Sequence, residues 1–205
     1  MIRLYNLENS RSQRIAWLLE ELGISYQVEE FKRDPVTRLA PQALRAIHPL
    51  GKSPLISDEG IVVAESGAIV EYLLTRYAKG RLRPTAEQPA YAQYLHWLHY
   101  AEGSAMAAFV MKYLAEGKAA VFCENQFELH MSYIETSLKD KHWLLGDEFS
   151  AADIMMSFPL QFALLFVKQG QYPNIERFVT QVEKHPSYCK ACKRVGELHL
   201  PQLNG

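Results

Sequence analysis

The sequence predicts two folds in succession: an α/β domain over residues 1–79 and an all-α domain over residues 86–205, with a linker at about 80–85. Strand-like and helix-like patterns alternate only within the first 78 residues. A polar connector, Ala78 to Pro89, then carries Gly80, Pro84 and Pro89, and no strand pattern follows it. Beyond it the apolar residues recur at helical spacing in long runs. Alternating elements argue for a layered α/β unit and uniform helical periodicity for a bundle. A chain of 205 residues is long enough to bury a core in each.

Ile2 to Leu7 alternates apolar and polar residues and reads as a strand. Ser10 and Gln13 have capping-box spacing, so a helix is expected to start there, with Ser10 as N-cap and Gln13 reaching back. Ile15, Leu18, Leu19 and Leu22 form its apolar stripe and Gly23 ends it. Tyr26 to Phe31 is a second strand and Ala43 to Ile47 a short helix. Pro54 to Ile56 and Ile61 to Ala64 are strands joined by a Ser-Asp-Glu-Gly turn. Ile69, Tyr72, Leu73 and Tyr77 mark a further helix. The order βαβαββα describes a compact layer with a mixed sheet.

In the second half, Tyr91 to Leu114 and Ala119 to Leu138 read as long helices. Shorter ones follow at Ala151 to Phe166, Ile175 to Lys184 and Ser187 to Leu198. Ser150 and Asp153 have the spacing of a capping box, with Phe149 and Ile154 placed as its hydrophobic staple. Trp97, Tyr100, Met106, Phe109 and Tyr113 lie at helical spacing and are expected mostly in the core.

The formal net charge of -1 gives no electrostatic case for nucleic acid or an acidic membrane surface. No apolar run approaches the ~18 residues that span a bilayer. The opening MIRLYNLENS lacks the basic and apolar blocks of a signal peptide. Three cysteines form no disulfide framework, so a cytoplasmic location is expected. Cys189 and Cys192 make a C-x-x-C, but on a helix rather than a strand-to-helix junction, so helix packing is expected of them. The seven histidines are scattered; His96 and His99 sit i,i+3 without a third ligand nearby, and no metal site is expected.

The stretch His48 to Leu73 carries the chemistry. In Lys52-Ser53-Pro54, a proline opening a strand at a sheet edge suits a cis bond. That geometry would leave the Ser53 N–H and C=O facing outward, able to hold a peptide in strand-like fashion, with Lys52 offering a cation. Glu65-Ser66 stands where a strand hands over to a helix. The Ser66 hydroxyl and the first free N–H groups suit a carboxylate, and Glu65 an ammonium, so the pair fits an α-amino acid end. Ser66 could equally cap the helix. Ser10, at the first strand-to-helix junction, is placed to stabilise a thiolate, as well as to cap; Ser12 and Tyr5 are rival hydroxyls.

With these residues assembled, the chain resembles the cytosolic glutathione transferases over its whole length. The matching segments are ENSRSQRIAWLLEELGISY, HPLGKSPLI, AESGAIVEYL and LLGDEFSAADI, in the family's order and near its spacing. The segment WLHYAEGSAM is most similar to a bacterial and fungal branch with a serine-type active site. The resemblance implies a thioredoxin-like N-terminal domain that binds glutathione, a helical domain that builds the electrophile pocket, and a homodimer. It implies that Pro54 is the family's cis-proline and that the Ser53 backbone pairs with the cysteinyl part of glutathione, that Glu65 and Ser66 hold the γ-glutamyl end, and that Lys52 approaches the glycyl carboxylate. Ser10 aligns with the activating hydroxyl or thiol, and serine there argues against mixed-disulfide chemistry. Tyr5 lies slightly early for the first-strand tyrosine of other branches. Glu102 is similar to an acidic residue that reaches glutathione across the dimer; on its own it reads as a solvated helix-face carboxylate. His48 replaces a common asparagine and is expected to be structural. The implied activity is conjugation of glutathione, a co-substrate, to small hydrophobic electrophiles in detoxification, with no permanently bound cofactor. Glutathione-dependent peroxide reduction and a non-catalytic binding or regulatory role are the alternatives.

Overall fold

The structure, a computed structural model, describes residues 1–199. The last six residues of the expected helical domain lie outside the described residues. Among the described residues the chain divides into two compact units: residues 1–81 together with 184–199, and Leu82–Glu183.

The first unit runs β1 (Ile2–Leu7), α1 (Ser12–Leu22), β2 (Tyr26–Phe31), α2 (Ala43–Ile47), β3 (Leu55–Asp58), β4 (Ile61–Ala64) and α3 (Ser66–Tyr77), and is completed by α9 (Pro186–Val195). Its four-stranded sheet has the order β2-β1-β3-β4. β1 pairs parallel with β2 and antiparallel with β3, with Leu4 opposite Val28 and Ile56. β3 and β4 form a hairpin whose turn residues Glu59 and Gly60 have φ of 51° and 84°. Two positive φ values match the twist of the flanking strands, which is why glycine stands second. The mixed sheet and helices are those of a thioredoxin-like domain.

α1 departs from a simple amphipathic helix. Every residue from Ser12 to Leu19 is buried. One side packs on β1 and α3, and another on α9. There the Trp17 indole N–H donates to Ser187 Oγ at 2.9 Å, and its ring meets Tyr188 edge-on at 5.3 Å. The final helix therefore joins the first unit, whereas its sequence pattern placed it with the helical half. Periodicity shows which face of a helix is apolar and not which element covers it. The capping box expected of Ser10 and Gln13 does not form. Gln13 turns towards α9, donating to Cys192 Sγ at 3.4 Å and accepting from Tyr188 Oη at 3.2 Å. Gly23 ends α1 with φ 69°, as its position suggested.

The second unit contains α4 (Tyr91–Tyr100), a π-helical turn (Ala101–Met106), α5 (Ala107–Leu114), α6 (Lys118–Ser137), α7 (Ala151–Ala163), a 3₁₀ turn (Leu164–Phe166) and α8 (Pro173–Glu183). The helix expected over 91–114 is thus loosened at its centre, where Gly103 stands. Trp97, Met106 and Phe109 are buried as expected, but Tyr113 is exposed. The capping box at Ser150 and Asp153 forms. The Asp153 carboxylate accepts from the N–H and O–H of Ser150, both at 2.9 Å, and from Leu144 N–H at 2.8 Å. Phe149 lies on Trp143, ring centroids 4.8 Å apart. Among the described residues no helix is long and apolar enough to cross a membrane.

Candidate active site

The strand registers collect the candidate residues at one end of the sheet. Tyr5 faces Leu55, and Leu55 faces Ala64. The end of β1, the start of β3 and the end of β4 therefore lie side by side. Ser53-Pro54 enters the sheet there and Glu65-Ser66 leaves it. α1 and α3 both begin at this end, so their first N–H groups, which lack intrahelical acceptors, converge on it.

The Ser53–Pro54 bond is cis. The ladder between β1 and β3 stops at Leu55. Past it, the Ser53 hydroxyl bridges the gap, donating to the Tyr5 carbonyl at 3.1 Å and accepting from Leu7 N–H at 3.4 Å. The Ser53 side chain thus braces the sheet, and its main chain has no ladder partner among the described residues. Gly51 makes the preceding turn with φ 57°, and a Cβ there would lie 2.7 Å from Arg45 Cγ. Lys52 is exposed beside it.

Across the sheet end, Glu65 is exposed and has φ 71°, ψ 124°, a backbone region that non-glycine residues avoid. Its carbonyl accepts the first helical bond of α3, from Ile69 at 2.9 Å. Ser66 does not cap α3 with its side chain. Its buried hydroxyl instead accepts from Arg14 Nη2 at 2.8 Å. Serine has one proton and two lone pairs, so this acceptor role leaves the Ser66 O–H able to donate to an anion.

The three rival hydroxyls separate clearly. Tyr5 is 9% exposed, packs with Leu7, Leu44 and Leu55, and donates to Ser57 Oγ at 3.2 Å. It is committed to the core. Ser10 and Ser12 are both buried, with their Oγ atoms 2.8 Å apart, and Ser12 N–H donates to Ser10 Oγ at 3.2 Å. Ser12 Oγ lies deeper, 2.5 Å from Asn6 Oδ1 and 3.3 Å from the Leu7 carbonyl. Leu7 therefore links the two halves of the site, giving its N–H to Ser53 and its C=O to Ser12.

Glu102 belongs to the second unit, within the π-helical turn, and is partly buried. Cys192 packs towards α1, where burial raises its thiol pKa, while Cys189 is exposed, so only one of the pair packs as expected. Tyr133 Oη lies 2.9 Å from His96 Nε2, and Tyr100 Oη lies 2.5 Å from His130 Nδ1. Burial lowers the His130 pKa and raises that of Tyr100. No group of three metal-ligating side chains occurs among the described residues.

Two residues of this corner escaped the sequence reading, Arg14 and Asn6. Arg14 is 1% exposed and lies i,i+4 from Leu18 on an otherwise apolar face, the one signal that could have marked it. Asn6, 5% exposed, interrupts a strand of buried apolar residues.

Residues 1–75 match the glutathione S-transferase N-terminal domain and residues 103–186 the glutathione S-transferase C-terminal domain. The chain is 32% identical to glutathione S-transferase 3 of Schizosaccharomyces pombe, over 95% of this chain and 88% of that protein. A glutathione S-transferase structure from Actinobacillus pleuropneumoniae superposes with a TM-score of 0.90 at 40% identity, covering 97% of this chain and 94% of that one. A sphingomonad glutathione S-transferase complexed with glutathione shares the fold, with a TM-score of 0.79 at 21% identity over 95% of this chain and 98% of that one. With both domains matched in order and a relative of such identity along nearly the whole chain, this protein belongs to the glutathione S-transferase family and is a glutathione transferase enzyme.

Proposed function

We propose that the sheet end described above holds glutathione in an extended form and that the enzyme joins its thiolate to small apolar electrophiles. The observation that carries this is the convergence of three features: the open main chain at Ser53 beside cis-Pro54, the start of α3 at exposed Glu65 and buried Ser66, and the Ser10–Ser12 pair at the start of α1. In this reading the cysteinyl backbone pairs with Ser53. The γ-glutamyl carboxylate meets the Ser66 hydroxyl and the first N–H groups of α3, and its ammonium meets Glu65. Lys52 attracts the glycyl carboxylate. The sulfur then lies over the start of α1, where Ser10 donates to the thiolate, the role of a serine-type member of the family. The glutathione-bound relatives support glutathione as co-substrate, and no permanently bound cofactor enters this scheme.

Lowering a thiol from pKa ~8.5 by about 2 units requires ~2.7 kcal/mol of differential stabilisation. A charge-assisted hydrogen bond and a helix N-terminus together supply that order of energy. The thiolate attacks the electrophile directly, its leaving group departs or its activated bond opens, and no covalent enzyme intermediate forms. We further infer a cytoplasmic homodimer acting in detoxification, with Glu102 as the residue that approaches glutathione from the partner subunit.

The test is Ser10→Ala, assayed with a chloro-nitroaromatic and with cumene hydroperoxide. Turnover with both should fall while glutathione affinity stays nearly constant; unchanged turnover would remove Ser10 from the mechanism. The ratio of the two wild-type rates ranks conjugation against peroxide reduction. Retention on immobilised glutathione without turnover of any electrophile would favour a binding role instead.

A further inference from the structure

We propose that Asn6 and Ser12 are positioning residues that fix the direction of the Ser10 hydroxyl and so set how strongly it donates to the sulfur of bound glutathione. The proposal rests on the reading of Ser10 given above. It follows from counting protons along one chain of contacts.

Asn6 Nδ2 lies 3.2 Å from the carbonyl of Val195. A carbonyl only accepts, so the amide must present its nitrogen to Val195 and its oxygen to Ser12. Ser12 Oγ lies 2.5 Å from that oxygen and 3.3 Å from the Leu7 carbonyl. Both neighbours only accept, so the single Ser12 proton points towards Asn6. At the 2.8 Å contact between the hydroxyls, Ser10 must then be the donor. The chain runs in one direction, from Ser10 through Ser12 and Asn6 to Val195. Ser10 Oγ also accepts Ser12 N–H at 3.2 Å.

In this state Ser10 offers a ligand a lone pair and keeps its proton turned inward. A neutral thiol can donate to it. A thiolate instead requires the Ser10 proton to leave Ser12 and turn to the sulfur, while the thiol proton passes to bulk water. A charged acceptor outcompetes a neutral one, so the turn occurs, but the lost Ser10–Ser12 bond is subtracted from the stabilisation. Ser12 thereby holds the reactivity of glutathione below what Ser10 alone would give. The charged and thiol groups around this corner are common to every variant below and cancel in their comparison: Glu8 and Arg33 beside the end of β1, Arg11 just before α1, Arg14 on α1, and Cys192 on α9.

The experiment titrates glutathione bound to the intact protein, following ultraviolet thiolate absorbance against pH. Ser12→Ala removes the competing acceptor, and the thiol pKa should fall by about half to one unit, a three- to tenfold rise in the thiolate-to-thiol ratio. Ser12→Thr restores the hydroxyl and should restore the wild-type value. Asn6→Ala frees the Ser12 proton to turn on Ser10 and should shift the value in the same direction as Ser12→Ala, by less, because the Leu7 carbonyl still accepts. This second variant carries the test where Ser12→Ala does not fold. Ser10→Ala should raise the pKa, and the Ser10→Ala/Ser12→Ala double variant should match it. A raised value in Ser10→Ala with no fall in Ser12→Ala or Asn6→Ala overturns the positioning role and leaves the reading of Ser10 standing. An unchanged value in Ser10→Ala overturns that underlying reading.

Discussion

Replacing Asp153 by asparagine sets burial against hydrogen bonding at the start of α7. The carboxyl is fully buried, and burial pushes its pKa from 3.8 up to about 6; the bonds from Leu144 and Ser150 pull it down by less. In the unfolded chain the group ionises near its ordinary value. Between about pH 4 and 6 the folded protein thus keeps a proton that the unfolded chain releases. The stability this group contributes is complete below that window and is lost as pH rises through it. A shift of about 2 units is worth about 3 kcal/mol. Asparagine matches the shape but offers one acceptor oxygen, so one backbone N–H, of Leu144 or Ser150, faces an NH₂ group. Leaving one buried donor unmet costs about 1–3 kcal/mol. At about pH 4 the wild type should exceed Asp153→Asn by that amount, and by about pH 7 the gap should close or reverse. Urea unfolding of both proteins across this range measures the gap, with other titrating groups cancelling in the difference. Amide exchange at Leu144 and Ser150 reports the same change locally. A gap that widens with pH would show that the three donors outweigh burial, and the reasoning would be wrong.

Glu65→Gly should separate stability from function. Its φ of 71° costs a non-glycine residue about 1–3 kcal/mol, of which glycine's extra freedom in the unfolded chain returns about 0.5–1 kcal/mol. The variant should therefore unfold at higher urea while its glutathione dissociation constant rises about tenfold or more; a destabilised variant would contradict the strain. Tyr5→Phe should leave turnover unchanged and lower stability by about 0.5–1.5 kcal/mol through the lost bond to Ser57, and a large fall in turnover would restore Tyr5 as the activating hydroxyl.

The strands and most helices were legible because their signals are local. Alternation from Ile2 to Leu7, the glycine after Leu22 and the Ser150–Asp153 box each lie within a few residues. What escaped depends on partners far along the chain. Gln13 has the spacing to reach back to Ser10, yet Cys192 and Tyr188 on α9 draw it away. Ser66 looks like a cap, but Arg14, on another helix, occupies its oxygen. The π-helical turn at Ala101–Met106 leaves the apolar pattern of its helix nearly unbroken, so periodicity could not place it. Within the candidate site, the cis bond at Ser53–Pro54 and the strand-to-helix junction at Glu65-Ser66 were readable from turn chemistry. The partners of Ser10, Ser12 and Tyr5 were not readable, since Asn6 and Ser57 reach these hydroxyls only through the fold.

The most direct measurement is a crystal structure of the protein with glutathione bound. The tripeptide should run along the main chain at Ser53, with its γ-glutamyl end at Glu65 and Ser66 and its sulfur within hydrogen-bond reach of Ser10 Oγ. Glutathione seated elsewhere, or with its sulfur turned away from the start of α1, would contradict the account.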